Sequence, residues 1–368
     1  MSSPISNIID SFKNMLSLGP KSVFGIDIGL SAVKVAQIDI SGSEEEPSYK
    51  LVKYASVALP EGAIIEDEIQ KQEEIVEAIK EAVSTAGIKE KFACLGLTGP
   101  NTVVKRLQLP GGDEEEIEDQ VLWEAEQYLP FDIENSSISF HNVGENEGGG
   151  LDVVVAAARN DIIQSFIELV EGAGFKVKIA DLGMISVINA FEYIEADKFE
   201  EETDSYLVLD LGAQKTAFMI YKNGTVIFTK EINVGGVMIT EEIQRQMGVN
   251  YIEAEDLKVT GDESGNLPEE ILAIVDDVIE AFFSEIKKTM DFYVSSTSDE
   301  SLASCFRTGG SIQIPGILEG LEALLGVEVS VINPFEKMDY DSKKISEEEI
   351  NDIAYRGVSV IGLAMRSL

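Results

Sequence analysis

Two stretches of this chain, residues 24–40 and 207–222, carry the same local text. Each runs apolar strand, Asp-x-Gly turn, second apolar strand. Phe24-Gly-Ile-Asp-Ile-Gly opens the first, and Leu207-Val-Leu-Asp-Leu-Gly opens the second. Glycine at the turn lets the chain reverse tightly, so each stretch reads as a β-hairpin. A supersecondary unit repeated this far apart predicts two related halves in an α/β chain.

Around the first hairpin, a third strand is expected from Tyr49 to Leu59, after an acidic tip at Ser43-Glu-Glu-Glu-Pro-Ser. A helix over 72–86 ending at Gly87 and a buried strand from Phe92 to Thr98 complete a mixed sheet with a crossover helix. Residues 101–178 read as a separate α+β module. Asp113 with Glu116 three residues on is a capping box. The helix it opens places Ile117, Val121, Leu122, Ala125, Tyr128 and Leu129 on one face, and Pro130 ends it. Strands at Ile138–Val143 and Asp152–Ala157, a helix over 161–172 and a closing strand over 175–179 follow. After the second hairpin come helices over 236–247 and 268–292, then Cys305-Phe-Arg-Thr-Gly-Gly-Ser-Ile and a last helix over 351–366. Ahead of everything, residues 4–18 set Ile5, Ile8, Ile9, Phe12, Met15 and Leu16 at helical spacing.

Charge and residue counts exclude several functions. With 28 basic and 67 acidic residues the net charge is −39. Nucleic-acid binding needs a Lys/Arg surface, and broad adhesion to an anionic membrane is equally disfavoured, local basic patches aside. One histidine, His141, and two distant cysteines, Cys94 and Cys305, argue against His-based metal sites, a catalytic triad or a disulfide framework. No apolar run approaches the roughly 18–20 residues of a membrane span, and no secretory signal pattern opens the chain. The expected location is the cytoplasm.

The paired Asp-x-Gly turns suggest a phosphate clamp. Turn N–H groups point at phosphate oxygens, and glycine permits close approach. Asp27 and Asp210, one at each strand end, are placed to hold Mg²⁺ through water. Lys34 could neutralise phosphate charge. Gly309-Gly310-Ser311 follows an apolar strand and offers bare backbone to a purine.

The order hairpin, insert, hairpin, long helix, Gly-Gly-Ser, final helix resembles the actin / heat-shock-protein-70 / sugar-kinase superfamily. There, two duplicated ribonuclease-H-like domains close on ATP. The middle module sits where the cell-division protein FtsA carries its inserted subdomain. The local text is similar to the type IV pilus assembly protein PilM family over about residues 20–366. The matching runs are Phe24-Gly-Ile-Asp-Ile-Gly, Trp123-Glu-Ala-Glu-Gln-Tyr-Leu-Pro-Phe and Ala156-Ala-Ala-Arg, with Glu285-Ile-Lys-Lys-Thr-Met-Asp-Phe-Tyr and Gly357-Val-Ser-Val-Ile-Gly-Leu-Ala-Met-Arg. The resemblance implies an amphipathic segment over 1–20 and a first domain at 21–100 and 179–205. It further implies an inserted subdomain at 101–178 and a second domain at 206–350 with its own insert near 236–300. A terminal helix at 351–368 would return to the first domain.

It also implies roles. Asp27, Gly29, Ser31 and Lys34 would form the first phosphate hairpin, and Asp210, Gly212 and Thr216 the second. Glu255 and Lys258 would hold the ribose or base, and Gly309, Gly310 and Ser311 would line the adenosine of ATP or ADP with Mg²⁺. The partner implied is the short cytoplasmic N-terminal peptide of PilN, in a groove walled by strand 101–109 and helix 115–129, with Trp123 and Tyr128 as contacts. Other pilus platform proteins would lie beyond it, and the membrane would be reached through that partner. Leu30 and Gln214 depart from the family pattern. Leu182 stands where Gln or Glu often orients the attacking water, and it can do neither. Binding with slow hydrolysis is therefore expected. The rival readings are a filament-forming, FtsA-like division protein and a small-molecule kinase of the same superfamily.

Overall fold

The computed structural model describes residues 23–366 except 44–45, 66–67, 147, 200–203 and 261–266. The amphipathic segment expected over residues 4–18 lies outside the described residues.

The first half opens with β1 (Phe24–Ile28), β2 (Ala32–Gly42) and β3 (Pro47–Ala58) as an antiparallel meander. A short pair, β4 (Ile64–Ile65) and β5 (Glu68–Ile69), leads to α1 (Gln72–Ala86). This helix buries Ile75, Ala78, Ile79, Ala82 and Val83, a stripe at helical spacing, and stops at left-handed Gly87. β6 (Phe92–Leu97) then runs parallel to β1.

From β6 the chain builds a second, smaller sheet. β7 (Thr102–Leu109), α2 (Glu114–Tyr128), β8 (Ser136–Glu145) and β9 (Leu151–Arg159) give a three-stranded antiparallel sheet in the order β7-β9-β8. The expected capping box forms: Asp113 accepts from the Glu116 N–H and Glu116 accepts from the Asp113 N–H. Of the six apolar residues assigned to the inner face of α2, Val121 and Ala125 are buried, whereas Leu122 is exposed.

α3 (Asn160–Gly172), β10 (Lys176–Leu182) and α4 (Gly183–Glu195) return the chain to the first half. The strand expected over 175–179 does not close the small module. It forms as β10 and pairs in parallel with β6 in the large sheet. Phe166, Leu169 and Val170 of α3 join the main core with Ile75 and Ile79 of α1. The separate sheet therefore spans residues 102–159. Leu182 is the last residue of β10 and the N-cap of α4.

The second half repeats the plan. β11 (Ser205–Leu211), β12 (Thr216–Lys222) and β13 (Thr225–Ile232) form the meander, and α5 (Val237–Met247), α6 (Tyr251–Thr260) and α7 (Glu269–Thr297) follow. β14 (Leu302–Thr308), α8 (Ile317–Leu325) and β15 (Glu328–Val331) complete it. The sheet order β15-β14-β11-β12-β13 matches β10-β6-β1-β2-β3 strand for strand, with the same parallel and antiparallel pairings. A last short strand, β16 (Asp339–Tyr340), adds to the first sheet beside β3.

The final helix is two helices, α9 (Glu347–Arg356) and α10 (Val358–Ala364), where one was expected. Gly357 separates them, and its N–H caps the Ile353 carbonyl. α10 lies on the first sheet so closely that a Cβ on Gly25 would stand 2.5 Å from the Val360 carbonyl oxygen. A Cβ on Gly362 would run into the Ser186 carbonyl of α4. Phe191 of α4 joins the halves: its fully buried ring meets Tyr221 at 5.4 Å and Phe306 at 5.0 Å, both from the second sheet. Aromatic pairs in this geometry add to the area they bury.

Candidate functional site

Asp27 and Asp210 occupy the penultimate positions of β1 and β11, the equivalent central strands of the two sheets. Lys34 pairs across the ladder with Asp27, which puts both side chains on one face; Nζ stands 3.2 Å from Oδ2. Burial pulls the Lys34 ammonium down, but Asp27, Tyr54 and Asp210 together outweigh it and hold it above its ordinary value. Asp210 is pushed up to about 6 by burial, Lys34 opposing and Asp27 adding to the rise. One carboxylate from each half and a shared cation therefore meet in a single field.

The second hairpin is built for close approach. Gly309 holds φ +98°, where a Cβ would meet the Leu211 carbonyl and stand 2.5 Å from Asp210 Oδ1. Its N–H donates to the Tyr355 carbonyl at 2.9 Å, tying this loop to α9. The Gly212 N–H closes the turn on Lys215 at 2.9 Å. Ser311 Oγ donates to the Gly212 carbonyl at 2.8 Å, so Gly309-Gly310-Ser311 and the hairpin form one wall.

α6 supplies the adjoining wall. Lys258 Nζ donates to Glu255 Oε2 at 2.6 Å, Thr240 Oγ1 at 2.9 Å and the Gly236 carbonyl at 3.2 Å. Thr240 Oγ1 also donates to Glu255 at 2.6 Å. Gly236 lies between this network and Ser311: a Cβ there would stand 2.6 Å from Ser311 Oγ and 3.5 Å from Lys258 Nζ. Asp27, Lys34, Asp210, Gly212, Glu255, Lys258, Gly309, Gly310 and Ser311 are thus linked by neighbouring contacts. Gly29 and Ser31 sit at the β1–β2 turn, where the Gly29 N–H bonds the Ala32 carbonyl.

Thr216 differs from the expectation. It is fully buried and its Oγ1 donates to the Val234 carbonyl at 2.8 Å. Its hydroxyl fastens the hairpin to the start of α5 and presents no surface to a phosphate. Asp181, beside Leu182, turns away to an ion pair with Arg366 at 2.9 Å.

Gly235 and Gly236 were missed by the sequence reading. A Gly-Gly pair directly after an apolar strand was the available signal, the same one that marked Gly309 and Gly310. Lys215 was also missed. Its Nζ stands 3.6 Å from Glu231 Oε2, while Glu231 Oε1 accepts from the Gly99 N–H at 2.9 Å, so this pair bridges the second sheet to the end of β6.

The donor set fits a hydrated Mg²⁺. Mg²⁺ keeps several waters and takes one or two carboxylates, substrate phosphates filling the rest. Asp27 and Asp210 are the two carboxylates that would fill that role. Among the described residues no cluster of three or more His, Cys, Asp or Glu is placed to cage a metal.

On the small sheet, Trp123 is 61% exposed on α2, with Leu122 beside it. Trp123 is therefore not core of the module. Tyr128 is half-buried on the inner side, with Lys105 Nζ 4.1 Å above its ring. Burial, with Glu124 adding, pushes its hydroxyl up to about 12. That hydroxyl has no hydrogen-bond partner among the described residues.

Two sheets of identical order, each opening on an Asp-x-Gly hairpin, define the actin-like ATPase fold. The ethanolamine utilization protein EutJ from Carboxydothermus hydrogenoformans shares it, at 16% identity and TM-score 0.51, covering 95% of this chain and 90% of that one. A solved PilM–PilN type IV pilus biogenesis complex is more similar: 26% identity and TM-score 0.80, covering 94% of this chain and 98% of that one. The sequence pattern of the type IV pilus assembly protein PilM family matches residues 25–368, and this chain belongs to that family.

Proposed function

We propose that this chain is the actin-like, nucleotide-binding component of a type IV pilus assembly platform. It takes the cytoplasmic N-terminal peptide of a PilN-type membrane protein beside the 102–159 sheet, and holds ATP or ADP with Mg²⁺ between its halves. The likeness to the PilM–PilN complex along almost the whole chain carries this reading. Among the described residues no helix is long and apolar enough to cross a membrane, so a membrane-embedded partner supplies the attachment. An exposed tryptophan beside an exposed leucine on the small module suits capture of an extended apolar peptide.

For the nucleotide, Lys34 neutralises phosphate charge while Asp27 and Asp210 orient the hydrated metal. Lys258 and Glu255, cross-linked through Thr240, flank the sugar and base. Leu182 offers no group to activate water, so turnover is slow and the nucleotide acts mainly as a ligand that closes the halves.

Calorimetric titration tests both parts separately. Mg·ATP is added first, then a synthetic copy of the N-terminus of the PilN encoded by the same organism. Both bind the wild-type chain. Trp123→Ala weakens the peptide at least about tenfold and leaves ATP binding and the melting temperature unchanged, as for a surface truncation. A peptide that does not bind, or binds the variant equally well, refutes the peptide site.

A further inference from the structure

An unpaired strand edge presents a row of free N–H and C=O groups, and proteins guard such edges with charge, proline, shortness or a cover. Among the described residues every sheet edge is guarded in one of these ways except one. The first sheet ends at β10, which carries Lys176 and Lys178, and at the two-residue β16 beside β3, a strand with Lys50 and Lys53. The pair β4 and β5 has two residues in each strand. The second sheet ends at β15, four residues that open on Glu328, and at β13. β13 lies against β7 of the small sheet, where Thr229 Oγ1 donates to the Val104 carbonyl at 2.8 Å. That leaves β8, which has β9 on one side and no strand on the other. Its ten residues, Ser-Ser-Ile-Ser-Phe-His-Asn-Val-Gly-Glu, include no lysine, arginine or proline and a single carboxylate at the last position. The chain as a whole is 26% charged, so this long neutral edge stands apart from the rest of its surface.

Ile138 and Phe140 are half-buried against the inner cluster that holds Val121 and Val155, whereas Ser137, Ser139 and His141 are exposed on the other face. A bulge between Asn142 and Gly144 ends the regular stretch, so residues 136–142 are the ones free to pair. Those seven are self-complementary. Antiparallel pairing of two copies about Ser139 sets Ser139 against Ser139, Ser137 against His141 and Ser136 against Asn142. It sets Ile138 against Phe140 twice, on the apolar face where each is now only half covered. Directly opposite β-branched and aromatic side chains stabilise a sheet, and like charges there destabilise it. The seven include no Asp, Glu, Lys or Arg, so no like charges meet within them.

We propose that β8 is a self-association edge: two copies of this chain pair antiparallel through residues 136–142 about a two-fold axis at Ser139, joining their small sheets into one of six strands. The same patch serves both copies, so the contact closes on itself and gives a dimer rather than a filament. A strand-edge contact is small, so the dimer is a weak one that forms at high concentration. Glu134 and Glu145 flank the stretch, and at each end one copy's Glu145 approaches the other's Glu134. Salt screens that repulsion, so association strengthens as salt is added.

Sedimentation equilibrium of the full chain reads the mass. The wild-type chain moves from one copy toward two between about 5 and about 500 µM, and further at about 300 mM than at about 50 mM salt. Ser139→Lys sets two ammonium groups opposite each other and stays monomeric throughout, with its melting temperature unchanged. Ser139→Cys tests the register. Opposite Cα atoms in an antiparallel pair lie about 4.5–5.5 Å apart, within disulfide reach. Cys94 and Cys305 are both buried, so mild oxidation crosslinks this variant through residue 139. Ser137→Cys does not crosslink, because its two copies are four residues out of step and about 14 Å apart. Three results overturn the proposal: a wild-type chain that is monomeric at every concentration, which leaves the edge to a different partner; a Ser139→Lys variant that dimerises like wild type; or a Ser139→Cys variant that crosslinks no faster than Ser137→Cys.

Discussion

Replacing Asp210 by Asn is expected to make the ligand-free protein more stable at neutral pH. Burial lifts this carboxyl from its ordinary 3.8 to about 6, so the ionised form is disfavoured in the fold. At about 1.4 kcal/mol per unit the rise amounts to roughly 3 kcal/mol. A carboxylate raised on folding leaves stability intact below its unfolded value and loses it as pH climbs through the folded one. The wild-type chain therefore bears the full penalty above about pH 7, about half of it near pH 5, and almost none below pH 4. Asn is nearly isosteric and never ionises. With unfolding entropy near 2.1 cal/mol/K per residue, a chain of 368 residues converts 3 kcal/mol into about 4 °C. Calorimetric melts of both proteins at pH 7.5, 5 and 4 should show a gap of about that size, halving and then closing. An Asn variant no more stable than wild type at pH 7.5, or a gap that persists at pH 4, refutes the assignment of a buried, destabilising charge. A site that holds such a charge in place fits a function that later supplies a cation there.

Two further outcomes can be checked directly. Gly362→Ala should lower the urea midpoint by the equivalent of about 1–3 kcal/mol. The new methyl meets the Ser186 carbonyl, and that overpacking exceeds the ~1 kcal/mol Ala usually gains over Gly in a helix. Cys94 and Cys305 are both buried, and burial, with Asp181 adding, raises the Cys94 thiol to about 12 while burial lifts Cys305 further still. Near pH 8 an aromatic disulfide reagent should label neither thiol in the folded protein and both after unfolding; fast native labelling would contradict the burial.

Much of this architecture was legible because it is local. The two hairpins announce themselves through alternating apolar residues and a turn glycine, and the 72–86 helix through its stripe and Gly87. The capping box at Asp113 needs only four residues of text. What stayed hidden depends on distant partners. The segment at 175–179 reads as a strand, but nothing in it states that β6 is its neighbour, so it was assigned to the wrong sheet. Gly25 and Gly362 look like ordinary glycines until α10 is laid on β1. Thr216 carries a hydroxyl at a position where the family resemblance implied a phosphate contact, and only the fold reveals Val234 as its acceptor. Trp123 is the opposite case: two residues before Ala125 and five before Tyr128, it is turned away from their inner face by helix geometry alone, and it is exposed.

The placement of α10 also bears on how the chain is made. Its residues, 358–364, cover a face of the first sheet whose central strand begins at Phe24. During synthesis at about 5–20 residues per second, that face stays bare while the second half, whose sheet draws only on residues 205–331, is already complete. The half that starts first therefore finishes last. A chain lacking residues 358–364 would leave Gly25 and Ser186 uncovered.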